Sequence, residues 1–342
     1  MQGFGAAGIM SVNAALMRFI YPQSALGRGL GVNAVVVAVS AALGPTVAAG
    51  ILAVAHWQWL FAVNVPVGVV ALAAARALPP TRRAQHRFDY WSALLNALTF
   101  GALIVAIDGV GHGEGYGAVA LEFGAALVFG ILLVQRQLSQ AWPLLPVDLL
   151  RIPMFALSVT TSISSFVAQM LAYVALPFYL QDELARDQVA TGLLMTPWPL
   201  TTAVVAPVAG RLADRYSAGM LGGLGLAIFA VGLALLGLLP AAPSDLDIAW
   251  RMATCGFGFG LFQSPNNRAM ITAAPRQRSG GASGMLGTAR LLGQTVGAAL
   301  VALLFGLFSG KATGIALFLA SGFAVVAAGI SCLRLVPRTG KP

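Results

Sequence analysis

Residues 219–240 read GMLGGLGLAIFAVGLALLGLLP, a stretch without a charged side chain that is bounded by Arg215 and Asp245. An α-helix rises about 1.5 Å per residue, so about 20 apolar residues cross the roughly 30 Å hydrocarbon core of a bilayer. This stretch reads as a membrane-spanning helix. Working outward, similar apolar stretches recur at about 2–21, 31–52, 59–78, 91–108, 117–135, 154–180, 191–210, 249–271, 283–308 and 313–333, giving eleven expected spans. The expected fold class is an all-α polytopic membrane protein. Composition agrees: hydrophobic residues are 58% of the chain and charged residues only 9%, against roughly 25% charged in a soluble domain. The mean hydropathy is +0.83.

A net charge of +9 suggests nucleic acid as a partner, but the positions of the charges argue against it. Loops alternate between the two sides of the membrane. Sixteen of the 20 Lys and Arg fall on one side; Arg186, Arg251 and Lys311 fall on the other, and Arg290 lies inside a span. Such asymmetry follows the positive-inside rule, so the C-terminus is expected in the cytoplasm and Met1 on the outer side. No basic region precedes the first apolar segment, so no separable signal peptide is expected. Cys255 and Cys332 both fall in expected spans and read as buried small residues rather than a disulfide or a metal site. His56, His86 and His112 are scattered, with no metal-ligand spacing.

The spans group as three, two and six. Residues 1–78 hold three; 79–152 hold a basic, Pro-containing loop, a two-helix hairpin and a connector; 153–342 hold six. Trp142, Leu144, Leu145, Leu149 and Leu150 suggest that the connector lies in the membrane interface. Transporters are commonly built from repeated halves, and three further helices at the front would restore six, two and six.

Several motifs occur in an informative order. Gln2-Gly3-Phe4-Gly5-Ala6-Ala7 opens the chain, Gly44-Pro45 lies in the second span, and His56-Trp57-Gln58-Trp59-Leu60-Phe61-Ala62-Val63-Asn64-Val65-Pro66-Val67-Gly68 joins the second to the third. Gly210-Arg211-Leu212-Ala213-Asp214-Arg215 and Ala289-Arg290-Leu291-Leu292-Gly293-Gln294 follow. Together they resemble the 14-helix drug:proton antiporters of the major facilitator superfamily, beginning at that family's fourth helix. The chain departs from the pattern in two places: Ala48 and Ala49 replace the two glycines that usually follow Gly-Pro, and basic residues usually found after the Asp214 motif are absent. The resemblance implies a major facilitator-type bundle and proton-coupled efflux of amphipathic, often cationic, compounds through a bacterial-type inner (plasma) membrane. Membrane lipid would surround it, a periplasmic adaptor is a further conceivable partner, and neither a cofactor nor nucleic acid is expected. The resemblance also implies that the principal proton-carrying carboxylate lies in a first helix preceding the matched region.

The residues support specific expectations. Ser40, Gly44 and Ala48 recur every four residues and give a nearly bare helix face for close packing, while Pro45 removes a backbone donor and bends the helix. This face serves either ordinary packing or the alternation of an exporter. Asp214 lies between two spans, near Arg211 and Arg215, and is either a helix cap or a cytoplasmic latch. Asp89 reads as an N-cap. Ionisable residues inside membranes are functional suspects: Arg290 with Gln294 one turn on, and Asp108 near the outer end of its span. Phe166, Gln169, Met170 and Tyr173 share one helix face, and Phe262, Gln263, Asn266 and Asn267 surround Pro265. They suit a cavity that adapts to varied apolar ligands, though core packing explains any one of them alone. Gly256-Phe257-Gly258-Phe259-Gly260 lacks the spacing and preceding strand of a dinucleotide loop, and no Walker, HExxH or GxSxG motif occurs. An enzyme is not expected. The alternative to a transporter is a shortened, non-transporting membrane partner.

Overall fold

The computed structural model describes residues 2–78, 89–111, 115–140, 143, 145–240, 242–308 and 312–335. The side chains of Gln2, Pro45 and Ala48, the basic loop after Leu78, and Trp142 and Leu144 lie outside the described residues. The α-helices are α1 (Gln2–Ile20), α2 (Leu26–Val54), α3 (Trp59–Ala62), α4 (Asn64–Ala75), α5 (Tyr90–Gly111), α6 (Tyr116–Leu138) and α7 (Pro153–Phe178), followed by α8 (Gln188–Met195), α9 (Pro197–Ala213), α10 (Ala218–Gly237), α11 (Asp245–Ala273), α12 (Ser279–Leu307) and α13 (Ala312–Cys332). Helix covers each of the expected stretches. Two are interrupted: α3 breaks to α4 at Val63, and α8 breaks to α9 at Thr196, ahead of Pro197. Among the described residues, seven helices are long and apolar enough to cross a membrane.

The last six spans form one bundle whose core is a ladder of rings. Trp198 lies 5.4 Å from Phe229, Phe229 5.6 Å from Phe259, and Phe259 5.9 Å from Phe262, centroid to centroid. Lipid tails are as apolar as leucine, so burial alone does not drive helices together in a membrane; close packing of small residues does. The glycines of α10 and α11 show how. A Cβ added to Gly258 would lie 2.4 Å from Phe229 N, and one on Gly225 would lie 2.7 Å from Gly258 O. On the faces turned to α9, a Cβ on Gly256 would meet Trp198 O at 2.2 Å and one on Gly260 would meet Thr202 at 3.2 Å. The alternating glycines of residues 256–260 are therefore packing surfaces on two sides of one helix.

Buried polar groups tie the bundle together at its basic end. Arg334, just after α13, donates to Asn266 Oδ1 (2.9 Å), Ser331 Oγ (2.9 Å), Ser158 Oγ (3.2 Å) and Thr161 Oγ1 (3.3 Å). Asn266 in turn donates to Ser162 Oγ at 2.8 Å and to the Ser158 carbonyl at 3.2 Å. Three helices thus share one network around a guanidinium. At the opposite end, Arg186 pairs with Asp245 at 2.6 Å and Arg251 with Asp247 at 3.0 Å.

One expectation is corrected here. Cys255 is buried, but Cys332 is exposed at the end of α13, beside Gly223. Within the connector, Leu149 is buried with Leu26, Leu30, Phe155 and Met270, and Asp148 holds Arg278 through two 3.0 Å hydrogen bonds. A short 3₁₀ turn over Val147–Arg151 aims Leu149 inward. Leu150, at 36% exposure, faces outward.

The α5–α6 hairpin is pinned at its basic end by Asp89. Its carboxylate accepts from Arg136 Nη2 (3.0 Å) and Nε (3.2 Å), from the Ser92 backbone N–H (3.2 Å), and from the side chains of Ser92 and Gln140. Asp89 is the expected N-cap, with a cross-helix ion pair added. The Arg136 guanidinium and the Ser92 hydroxyl hold its carboxyl well below the usual carboxylate range.

Candidate functional site: a crevice between two helix groups

Helices α1 and α2 pack against the six-span bundle, and a cavity of about 340 Å³ lies where they meet. Ala34 and Val37 of α2 form one wall. Phe166, Gln169, Met170 and Tyr173 of α7, Trp198 and Thr202 of α9, Phe259 and Gln263 of α11, and Arg290 and Gln294 of α12 form the rest. An adjoining space of about 60 Å³ shares Ala34, Val37, Phe166, Gln263 and Arg290 and adds Asn13, Asn33 and Asn267. The two make one crevice, within reach of the roughly 300 Å³ at which small-molecule pockets begin.

The packing that places these side chains is again built on glycine. A Cβ at Gly293 would stand 2.6 Å from Ile163 O and 2.7 Å from Phe166 Cβ, and one at Gly297 would stand 2.8 Å from Met170 Cβ. These glycines, one turn apart, let α12 press against α7. Arg290 and Gln294 are thereby carried to the same wall as Phe166 and Met170, and the Arg290 guanidinium carbon lies 5.5 Å from the Phe166 ring centroid. Phe166 meets Phe259 edge-on at 5.6 Å, and Tyr173 tilts against Trp198 at 4.8 Å.

Of the eight residues that the sequence points to as cavity lining, Phe166, Gln169, Met170, Tyr173 and Gln263 line the main cavity, Asn267 lines the adjoining space, and Asn266 is instead buried in the Arg334 network. Phe262 does not line the cavity either: it is 1% exposed and packed in the core, and Phe259, nearly one turn earlier, takes the cavity position. Arg290 and Gln294 reach the cavity, whereas Asp108 is exposed near the end of α5 and is not part of the lining. Sequence reading passed over Asn13, Asn33, Trp198 and Thr202. The signals were present: amides in apolar spans and a tryptophan between Pro197 and Pro199. It also passed over Glu122, a carboxylate within α6 whose Oε2 is buried without a hydrogen-bond partner among the described residues.

Below the cavity, at the basic end, the two helix groups are locked. Asp214 Oδ1 accepts from the Gly27 backbone N–H at 3.1 Å and lies 3.3 Å from Arg268 Nε. The partner of Asp214 is thus Arg268, from the next hairpin, rather than the adjacent Arg211 or Arg215. Arg268 also donates to Ala213 O at 2.6 Å. Gly27 is in the first turn of α2, so the carboxylate satisfies an exposed N–H at the positive end of a helix dipole. Gly210 and Gly27 allow this approach; a Cβ on either would come within 2.4 Å of the other's carbonyl oxygen. Arg18, 6% exposed, adds a second clasp: it donates to Ile271 O (2.7 Å), Ala274 O (3.0 Å) and Ser279 Oγ (3.0 Å). Gly44 and Ser40 are exposed on the far part of α2, and no described atom lies within 4 Å of a Cβ on Gly44. The small-residue face that joins the groups is Gly27 and Gly31 instead.

This architecture is that of a helical membrane transporter, and comparison with known proteins agrees. The family model described as Major Facilitator Superfamily matches residues 1–298 and 157–342. The chain belongs to that superfamily of membrane transporters. It is 59% identical to "Uncharacterized transporter YebQ" of Escherichia coli (strain K12) over 99% of this chain and 75% of that protein. It is 26% identical to "Riboflavin transporter RibZ" of Clostridioides difficile (strain 630), covering 89% of this chain and 66% of that one. It is 28% identical to "Multidrug resistance protein Stp" of Mycobacterium tuberculosis (strain ATCC 25618 / H37Rv), covering 88% and 56%. The chain thus spans between about half and three quarters of the length of these relatives.

Proposed function

We propose that the chain is the larger part of a proton-coupled exporter of amphipathic small molecules, of the 14-helix antiporter type. The observation that carries this reading is the crevice: an aromatic, Met and amide lining lies directly above a polar lock between the two helix groups. A transporter of this kind needs a ligand cavity at the junction of two moving parts and a contact there that one conformer makes and the other breaks. Names of relatives such as Stp support efflux, and that of RibZ supports a planar, polar-edged aromatic cargo.

On this reading, residues 1–78 belong to the N-terminal bundle, 79–152 form the inserted hairpin with its connectors, and 153–342 form the C-terminal bundle. The basic end faces the cytoplasm, with the C-terminus inside. The present conformer is then the one closed to the cytoplasm, with Asp214 and Arg18 as its latches. Asp108, near the end of α5, is the candidate proton-coupling carboxylate of the inserted hairpin.

The test is dye efflux from cells carrying the protein at its native length. Efflux that stops on addition of a protonophore supports the reading. A protein that moves no dye under any gradient is a non-transporting membrane partner, and the reading fails.

A further inference from the structure

We infer that the crevice takes an organic anion, a flat aromatic body bearing one carboxylate or similar acid, and that Arg290 is the residue that selects for it. This deepens the exporter reading and rests on it for the direction of transport, but not for the binding step.

The inference starts from which polar groups around the cavity are already used. The Thr202 hydroxyl lies 3.0 Å from both the Trp198 and Gly256 carbonyl oxygens and spends its proton on them. Arg290 is different. It stands about three turns into α12, its guanidinium lies against the Phe166 ring, and among the described residues it makes no hydrogen bond or ion pair. A ring face steadies a cation but takes the place of no carboxylate. The indole N–H of Trp198 also lacks an acceptor, but its nitrogen is fully buried rather than open to the cavity. Arg290 therefore brings a full charge to the cavity wall with no acceptor among the described residues.

A guanidinium is a fork of N–H groups that no protein environment deprotonates, and its preferred partner is a carboxylate or phosphate. In the low dielectric of a membrane interior, an unpaired guanidinium is costly, and that cost is relieved by an anionic ligand and raised by a cationic one. The remaining lining, Phe166, Tyr173 and Phe259 with Met170, offers rings and an adaptable thioether for a flat apolar body. Gln169, Gln263 and Gln294 can turn either end of their amides to a polar edge. The site is therefore biased against the cationic compounds that the resemblance implies.

The test uses purified protein of native length in lipid nanodiscs and a matched pair of probes, 1-pyrenebutyrate and its trimethylammonium analogue. The aromatic body is shared, so only the sign of the head differs. The anion should bind at least tenfold more tightly than the cation. Arg290→Gln should remove that preference by weakening the anion about tenfold or more, the loss expected for a charge-assisted hydrogen bond. Arg290→Lys should restore part of it, because the charge returns without the fork. Melting temperatures of both variants near that of the wild type establish that the fold is intact. Equal binding of the two probes, tighter binding of the cation, binding of neither at millimolar concentration, or an Arg290→Gln variant that holds the anion as well as the wild type each overturns the inference. Failure of the exporter reading looks different: the anion binds with the Arg290 dependence described, yet no flux follows a proton gradient.

Discussion

Gly27→Ala is the sharpest perturbation of the lock between the helix groups. The added Cβ would lie 2.4 Å from Gly210 O and 2.7 Å from Asp214 Oδ1, where ordinary contact begins near 3.4 Å. Neither neighbour can swing away: one is backbone, and the other is held by the Gly27 N–H and Arg268. Helix α2 must therefore move off α9 by about 1 Å, as over-packed contacts do, at a cost of about 1–3 kcal/mol. The same movement stretches the hydrogen bond from Gly27 to Asp214, worth about 1.5–3 kcal/mol when one partner is charged. Together, about 2.5–6 kcal/mol is loaded on this conformer and not on one in which the basic ends are apart. That shifts the equilibrium between them by on the order of 10²–10⁴-fold. Pulsed electron-spin distance measurements between labels at positions 28 and 215, at the basic ends of α2 and α9, read the shift as a population moving to longer distance. Efflux falls in parallel. A distance distribution and efflux rate unchanged from the wild type would refute the reasoning.

Three further outcomes are expected. Asp214→Asn keeps the acceptor for the Gly27 N–H but loses the charge facing Arg268, so the same distance measurement shifts in the same direction by less than in Gly27→Ala. Gly293→Val drives α12 off Ile163 and Phe166, displaces Arg290 from the Phe166 ring, and weakens ligand binding several-fold in titrations while the six-span bundle still melts cooperatively. Asp89→Asn lowers the melting temperature at neutral pH. Because the folded carboxyl is depressed below its unfolded value of about 3.9, its contribution is present throughout pH 5–8; the difference between wild type and variant begins to shrink below about pH 4 and closes only as pH falls through the depressed folded value.

The long apolar helices were legible because a membrane imposes one strong rule: a helix must be apolar for about 20 residues to cross it. Breaks within spans were less legible, since Val63 and Thr196 interrupt helices without interrupting hydropathy. Five of the eight expected lining residues reach the main cavity because a 3.6-residue period fixes which side chains share a face. Phe262 failed the same argument because its helix carries aromatics on adjacent faces, and only packing against α10 decides that Phe259 faces the cavity. The partner of Asp214 was beyond reach for a related reason. Sequence proximity suggested Arg211 and Arg215, but the lock is formed by Arg268 and by a backbone N–H of α2, residues that only the three-dimensional approach of three hairpins brings together. The Gly27–Gly210 contact has the same character, since a glycine in an apolar run does not reveal which helix it touches.

We propose the crevice between α1–α2 and the C-terminal bundle as the path along which a substrate exchanges for protons. Its most direct test is proton movement in energised, everted membrane vesicles carrying the native-length protein, followed with a pH-sensitive dye as substrate is added. The account predicts that substrate releases protons from the vesicle lumen in the wild type, and that Met170→Trp, which fills the cavity from α7, abolishes the signal. A proton signal that survives the filled cavity, or substrate transport with no proton movement, would contradict it.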